Sequence, residues 1–381
     1  MIKILHLSTS DIACDSRIIK SLQAAKDNGF LVKGIGIYME HTGQYIDSNK
    51  LNELNIISLK LFFRKFRKIP ASIRHFLVLM EYYIKAFKLA LKNKPDLLHC
   101  NDEIPLPLAV FVSLFTKSKI IYDAHELESE KNGLSNFKKK IILKVEKMFW
   151  GKIDGLIVVS PSIKKWYEEK FPNIPTRIVL NAPVFNKLKT KNDKYFHNKY
   201  KLKDNDIVFL YIGAFLPGRG LELVAQEIGI MKDCHIVYLG YGSEKNKLLE
   251  LSKKYNNIHI HDAVEHQQVV SLAQSADVGL CLIENISLSD YYCLPNKLFE
   301  YIFSSIPILA SNFPDIRDVL SNYNIGVCVD LESSSIKSGV ELIIKDYKKY
   351  KKNLEILDFS SLGWNSQANN IIELYKEVLE H

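Results

Sequence analysis

The sequence predicts an α/β protein of two domains, each a parallel sheet with helices on its faces. Three observations carry this prediction. The chain has 381 residues, more than one ordinary α/β domain needs and about right for two. Short apolar runs alternate with amphipathic stripes along both halves, the rhythm of repeated βαβ units. A polar stretch rich in Lys and Asn, residues 186–203, separates the two series. The expected boundaries are therefore 1–185 for the first domain, 186–360 for the second and 361–381 for a terminal helix.

In the first half, Ile2–Leu7 reads as the opening strand. Ser16–Asn28 has helical spacing through Ile18, Ile19, Leu22 and Ala25, and Gly29 is a natural stop. Phe30–Tyr38 and Ile56–Leu61 read as the second and third strands. Residues 73–91 carry an apolar stripe of Ile73, Leu77, Met80, Ile84, Phe87 and Leu91, with Arg74, Glu81, Lys85, Lys88 and Lys92 on the other side. That stripe is expected to face the domain core. Strands follow at Leu97–Cys100, Ile120–Asp123 and Leu156–Val159.

Beyond the linker, strands are expected at Ile207–Ile212, His235–Leu239, Ile258–His261, Val278–Ile283, Ile308–Ala310 and Ile325–Val329. Ser287–Cys293 reads as a loop. Asn365–Leu379 closes the chain as a helix, with Ile371, Ile372, Tyr375 and Val378 on one stripe. Open parallel sheets bind ligands outside the carboxyl ends of their strands, so two such sheets facing each other would frame a deep cleft.

Hydrophobic residues make up 47% of the chain, enough for a core in each domain. The six cysteines are scattered, without metal-knuckle or redox-pair spacing, which fits a reducing compartment better than a disulfide framework. No signal-peptide pattern precedes the first strand, and no apolar run approaches the roughly 18 residues of a membrane span. A cytoplasmic location is the expectation. His259, His261 and His266 cluster in sequence but lack a third ligand at suitable spacing, so no metal is expected.

Charge is uneven. Ten Lys or Arg residues and one acid, Glu81, lie between Lys60 and Lys94. Such a surface suits lipid head groups, nucleic acid or phosphorylated substrates. No nucleic-acid-binding module accompanies it, so nucleic acid is not an expected partner. Residues 60–68 mix Phe62, Phe63 and Phe66 with five cations, as an interfacial segment on anionic lipid does. The alternative is a basic loop with its aromatics buried in the core.

The second half carries the sharpest constellation. Tyr211–Ile212 ends a strand, and Gly213, Gly218, Arg219 and Gly220 lead into a helix. Glycines let backbone N–H groups approach an anion, and Arg219 adds a planar cationic fork. An ordinary βα turn with a solvated Arg explains the same residues. Gly240, Tyr241 and Gly242 follow the next strand, where a tight turn is an equal explanation. Pro295 suits the first turn of a helix that continues through Asn296, Lys297 and Glu300. Its N-terminus is an anion site that Lys297 reinforces. Glu300, one turn on, offers a carboxylate to the vicinal hydroxyls of a ribose. The alternative is a surface Lys–Glu pair.

The order of a glycine loop with a basic residue, a Gly-x-Gly and a Pro-Asn-Lys-x-x-Glu helix resembles the retaining glycosyltransferases of family four, which have the GT-B fold. The segment Pro307-Ile308-Leu309-Ala310-Ser311 extends the match. The resemblance implies two Rossmann-like domains around a cleft, with the C-terminal helix packing back on the first. It implies that Arg219 and Lys297 hold the donor diphosphate and Glu300 the ribose. Two positions depart from the pattern. Ala214 stands where the family often has Arg, and Tyr292 where it often has a second Glu. Lys297 is expected to replace the lost charge.

In the first half, two strands end in polar clusters: His99, Asn101, Asp102 and Glu103, then Asp123, His125 and Glu126. The Asp-x-His-Glu resembles the acceptor-side motif of the same family, as does the preceding His-x-x-Asp. His125 is the leading candidate for contact with the reacting sugar or its acceptor, oriented by Asp123 or Glu126. Asp102 and Asp123 serve equally well as helix caps. Arg17, beside the capping residues Asp15 and Ser16, either points toward an anionic acceptor or is solvated.

The expected reaction moves a sugar from a nucleoside-diphosphate sugar, UDP before GDP, to a glycan or lipid-linked acceptor, with retained configuration and no cofactor or metal. A sugar-nucleotide 2-epimerase and a non-catalytic sugar-nucleotide-binding partner are the two alternatives. High Lys, Asn and Ile usage points to an AT-rich bacterium and so to surface polysaccharide synthesis.

Overall fold

The computed structural model describes residues 1–39, 48–66, 68–184 and 194–380. The boundary expected at 185/186, Arg67 and much of the expected linker lie outside them. The chain divides into two compact units, Met1–Val179 with Gln367–His381, and Leu180–Ser366.

The first unit is a seven-stranded parallel sheet in the order β3-β2-β1-β4-β5-β6-β7. Its strands are β1 Lys3–Leu7, β2 Leu31–Ile37, β3 Ile56–Leu59, β4 Leu97–Asn101, β5 Lys119–Ala124, β6 Gly155–Val158 and β7 Thr176–Ile178. Helices α1 Ser16–Asp27, α2 Ser48–Glu53, α3 Ala71–Asn93, α4 Leu106–Thr116, α5 Asn136–Phe149 and α6 Pro161–Lys170 connect them. β4, β5 and β6 are almost continuously buried, as central strands covered on both faces must be. Asp15 starts α1 by accepting from the Arg17 and Ile18 N–H groups, both at 3.1 Å.

The second unit is a six-stranded parallel sheet in the order β10-β9-β8-β11-β12-β13. Its strands are β8 Ile207–Ala214, β9 Cys234–Tyr241, β10 Ile258–Asp262, β11 Val278–Cys281, β12 Ile308–Ser311 and β13 Gly326–Val329. The helices are α7 Tyr195–Tyr200, α8 Leu221–Gly229, α9 Lys245–Lys254, α10 His266–Ala273, α11 Leu288–Tyr291, α12 Asn296–Phe303, α13 Pro314–Tyr323, α14 Ser333–Lys345 and α15 Tyr347–Ile356. The chain ends in α16 Trp364–Glu380, which from Gln367 onward packs on the first sheet. A Cβ on Gly155 of β6 would stand 3.1 Å from Val378 and 3.2 Å from Leu374, so glycine lets α16 lie close.

Four elements differ from the sequence reading. α4 is apolar almost throughout and shows no stripe, so periodicity does not mark it. β7 is only three residues long. The expected loop Ser287–Cys293 contains the single turn α11, started by Ser287 accepting from the Asp290 N–H at 3.0 Å. The fourth correction concerns α3. Its buried positions are Tyr82, Ala86 and Ala90, while Ile73, Met80 and Ile84 of the expected core stripe are exposed. Tyr82, Ala86 and Ala90 form the inward stripe, and Ile73, Met80 and Ile84 turn outward.

Candidate functional site

In the second unit the loops after β8, β9 and β11 leave the same carboxyl edge of the sheet, because all six strands run parallel. The loop after β8 depends on its glycines. Gly213, Gly218 and Gly220 have φ of +127°, +82° and +60°, which suit residues without a Cβ. Gly240 makes the closest approach, since a Cβ there would lie 1.9 Å from the Gly213 carbonyl oxygen. Gly242 packs in the same way against the Phe215 backbone, and Tyr241 between them is exposed.

α12 is held over the sheet by Tyr301. Its hydroxyl accepts from the Ile212 N–H at 3.0 Å and lies 2.9 Å from the Leu210 carbonyl and 3.2 Å from that of Leu280. Gly279 leaves room for its ring. Pro295 stands at the N-cap, so the helix begins at the exposed Asn296 without a side-chain cap. Lys297 reaches back to β8. Its Nζ sits 3.7 Å from the centroid of the Tyr211 ring, a cation–π contact. The same atom lies 4.0 Å from where a Cβ on Gly213 would be, and it is buried without a hydrogen-bond partner among the described residues. Glu300 is nearly buried at 5% exposure.

Arg219 lies 3.6 Å from Asp290, which accepts from the Ser287 hydroxyl at 2.8 Å. Glu284 accepts from the Gly220 N–H at 3.3 Å, and its own N–H donates to the Gly218 carbonyl at 3.0 Å. Sequence reasoning missed Asp290 and Glu284. Their only signal is acidic character in the segment after β11.

The first unit gathers a second cluster at the ends of β4 and β5. Asp123 is fully buried. It accepts from Arg17 at 2.8 Å, lies 3.2 Å from His99 Nε2 and 3.5 Å from His125 Nε2. Arg17 is buried at 3% exposure and donates also to the Val179 carbonyl at 2.9 Å. It is thus neither solvated nor projecting freely. Asp123 is the counter-ion of Arg17 rather than a helix cap. Asp102 is not a cap either: it has φ +68° and lies before Pro105, which stands at the N-cap of α4. The Asp102 carboxylate lies 3.7 Å from His125 Nδ1. Glu126 is exposed, while the Asp123 and Asp102 carboxylates face the two ring nitrogens of His125 at 3.5 and 3.7 Å.

Electrostatics separate the two histidines. Burial lowers the His99 pKa despite its bond to Asp123. Burial acts the same way on His125, but the charges of Asp102 and Asp123 outweigh it and raise the pKa. Burial would raise the Asp123 pKa, yet Arg17 and His125 hold it well below the usual carboxylate range. Behind His99, the Tyr375 hydroxyl of α16 lies 2.7 Å from His99 Nδ1 and 3.2 Å from His6 Nε2. The two imidazoles stack at 4.0 Å. Beside Asp102, Lys131 lies 3.7 Å away and pairs closely with buried Glu128. Tyr375 and Lys131 were not anticipated, because nothing local in the sequence places them at this sheet edge. Among the described residues, no group of three or more His, Cys, Asp or Glu is placed to hold a metal ion.

Comparison with known proteins bears on the fold and the family. The family described as Glycosyl transferases group 1 matches residues 192–355, and that described as Glycosyltransferase Family 4 matches residues 48–182. An uncharacterized glycosyltransferase of Methanocaldococcus jannaschii is 27% identical over 62% of this chain and 60% of its own length. A chitobiosyldiphosphodolichol beta-mannosyltransferase of Candida albicans is 23% identical over 63% of this chain and 58% of its own. The chain thus matches about 60% of the length of these curated relatives. Among solved structures, sucrose-phosphate synthase from Thermosynechococcus elongatus superposes with a TM-score of 0.76 at 15% identity, covering 100% of both chains. HepE of Anabaena, in complex with UDP-glucose, gives 0.71 at 12% identity, covering 100% of this chain and 99% of its own.

Proposed function

We propose that this chain, which carries the domain pair of a GT-B-type glycosyltransferase, moves a sugar from a nucleoside-diphosphate sugar to a glycan or lipid-linked acceptor. The observation that carries the proposal is Lys297. Its ammonium is buried without a hydrogen-bond acceptor, beside Gly213 and one residue from Ala214. A lysine held there supplies the cation that Ala214 lacks. The diphosphate of the donor would complete its hydrogen bonds, with Arg219 and the N-terminus of α12 sharing the charge. As the bond from sugar to diphosphate breaks, negative charge grows on the leaving oxygens, and these fixed cations stabilise it most at that point. Glu300 binds the ribose hydroxyls in this reading.

UDP is the favoured nucleotide, with GDP next. The UDP-glucose complex of HepE, which shares the fold, supports the first. The name of the Candida relative supports a lipid-linked acceptor. We place His125 on the acceptor side, where its raised pKa suits it to hold a proton against the acceptor or the transferred sugar. Retention of configuration, absence of a metal from the reaction, a cytoplasmic location and a role in bacterial surface polysaccharide synthesis complete the proposal.

Thermal-shift screening against UDP, GDP, CDP and their sugars identifies the donor, because a ligand bound to the folded state raises its stability by mass action. With that donor, Arg219→Ala and Glu300→Ala should each cost about 100-fold or more in turnover while melting near the wild type. Near-normal turnover in either overturns the site. Conversion of the donor without acceptor indicates an epimerase. Donor binding without turnover on any acceptor indicates a non-catalytic partner.

A further inference from the structure

α3, α4 and α5 lie on one face of the first sheet. The connections β3–β4, β4–β5 and β5–β6 all step the same way across the sheet, and right-handed crossovers then put their helices on a common side. Contacts tie the helices together. The Phe87 and Phe115 rings meet edge to face at 5.8 Å, and α5 packs beside α4.

The outward side of this layer is apolar to an unusual degree. α3 exposes Ile73, Phe76, Met80 and Ile84 at successive helical turns, with Phe76 61% exposed. α4 exposes Phe111, Leu114 and Phe115, the last at 69%. α5 exposes Phe137, Ile141 and Met148, with Phe137 at 73%. Scattered apolar side chains need no explanation, but a contiguous patch over three neighbouring helices does.

Charge identifies what covers it. The three helices carry nine Lys or Arg against two acids, Glu81 and Glu146. Neither acid offers its charge to the face. Glu81 accepts from the Phe62 and Phe63 N–H groups and from Lys85, and Glu146 is fully buried. The aromatics of the preceding segment continue the patch rather than entering the core, since Phe62 is 59% and Phe66 41% exposed. Next to them, Arg64, Arg74 and His75 line a cavity of about 480 Å³, room for a phosphate head group. Two copies meeting through this face would bring their lysines together. An anionic bilayer accepts the apolar side chains and neutralises the cations at once.

We infer that the outward face of α3, α4 and α5, with residues 60–66, docks the protein on an anionic lipid surface without crossing it. No helix among the described residues is long and apolar enough to span a membrane. This deepens the proposed lipid-linked acceptor, because such a substrate would be met where the protein is already held. Vesicle binding is read without turnover, so its failure and failure of the transferase reading are distinguishable.

The test is co-sedimentation of the full chain with vesicles of phosphatidylcholine alone or mixed with phosphatidylglycerol. Binding should be at least about tenfold stronger to the mixed vesicles and weaken with salt. The variant Phe76→Ser/Phe115→Ser/Phe137→Ser should lose about tenfold or more, and Lys138→Glu/Lys140→Glu/Lys144→Glu should do likewise. All six side chains lie outside the proposed donor site, so the thermal shift by donor serves as a folding control. The charge-reversed variant keeps the test decisive should the serine variant misfold. Equal binding to both vesicles, binding to neither, or a dimer that the serine variant dissolves would each overturn the inference.

Discussion

The two polar clusters treat their charges in opposite ways. In the first unit, the buried Asp123 carboxylate is paired directly with Arg17 and lies 3.2 Å from His99, behind which stands Tyr375, while His125 Nε2, 3.5 Å away, has no hydrogen-bond partner among the described residues. In the second, Lys297 rests on the Tyr211 ring with its hydrogen-bonding capacity unmet among the described residues, and Arg219 stands 3.6 Å from Asp290, beyond direct bonding distance. A buried donor without an acceptor costs about 1–3 kcal/mol. A fold bears that cost where a ligand supplies the acceptors. The contrast is between a buried carboxylate matched by a cation of its own unit and a buried ammonium with no carboxylate at ion-pair distance among the described residues, which in the proposed reading is met by the donor. Removing a charge should damage stability in the first unit and binding in the second.

The sharpest way to break this contrast is Asp123→Ala. It strands Arg17 as a buried cation, and removing one partner of such a pair typically costs about 3–5 kcal/mol. Chemical denaturation should read that loss directly. A loss below about 1 kcal/mol would mean that the first cluster is no more closed than the second.

Lys297→Ala should do the reverse. Melting should stay close to the wild type, because a cation without a hydrogen-bond acceptor leaves with the mutation. Turnover should fall about 10²- to 10³-fold, with loss of the thermal shift by donor. A variant that melts much lower yet still binds donor would make Lys297 a packing residue.

The contrast was only half visible in the sequence. The proposed donor side lies in loops that follow neighbouring strands of one sheet, and its glycines, Arg219 and Lys297 are legible because backbone conformation and helix starts are local properties. Alternating strands and helices are likewise a local signal of parallel sheets, so both sheets, though not their strand orders, could be anticipated. Closure of the first cluster is not local. Arg17 meets Asp123 across 106 residues and Tyr375 meets His99 across 276, and no periodicity encodes such pairings. The facing of α3 was misread for a related reason. Hydrophobicity marks Ile73, Met80 and Ile84 as core, but the buried stripe runs through Tyr82, Ala86 and Ala90, two of which carry too little apolar surface to stand out in the sequence.

Asp102→Asn probes the contrast most gently, because Asp102 acts on the first cluster through charge alone. The raised pKa of His125 arises against burial from Asp102 and Asp123. A histidine whose folded pKa is raised contributes stability below its unfolded value of about 6.5, and loses that contribution as pH rises through the folded value. Removing Asp102 lowers the folded value and so removes stability at acid pH. Lys131, 3.7 Å from Asp102, loses a neighbour at every pH in this range. Buried Glu128 has a pKa raised well above normal by burial, by its bond to Glu103 and by Asp102, so the variant is relieved of repulsion as pH increases. Both titrations act in one direction. The melting deficit of Asp102→Asn should be a few degrees at about pH 5.5 and smaller at about pH 9. A deficit equal at the two pH values would mean that Asp102 works mainly as the partner of Lys131, and that His125 is set by Asp123 alone.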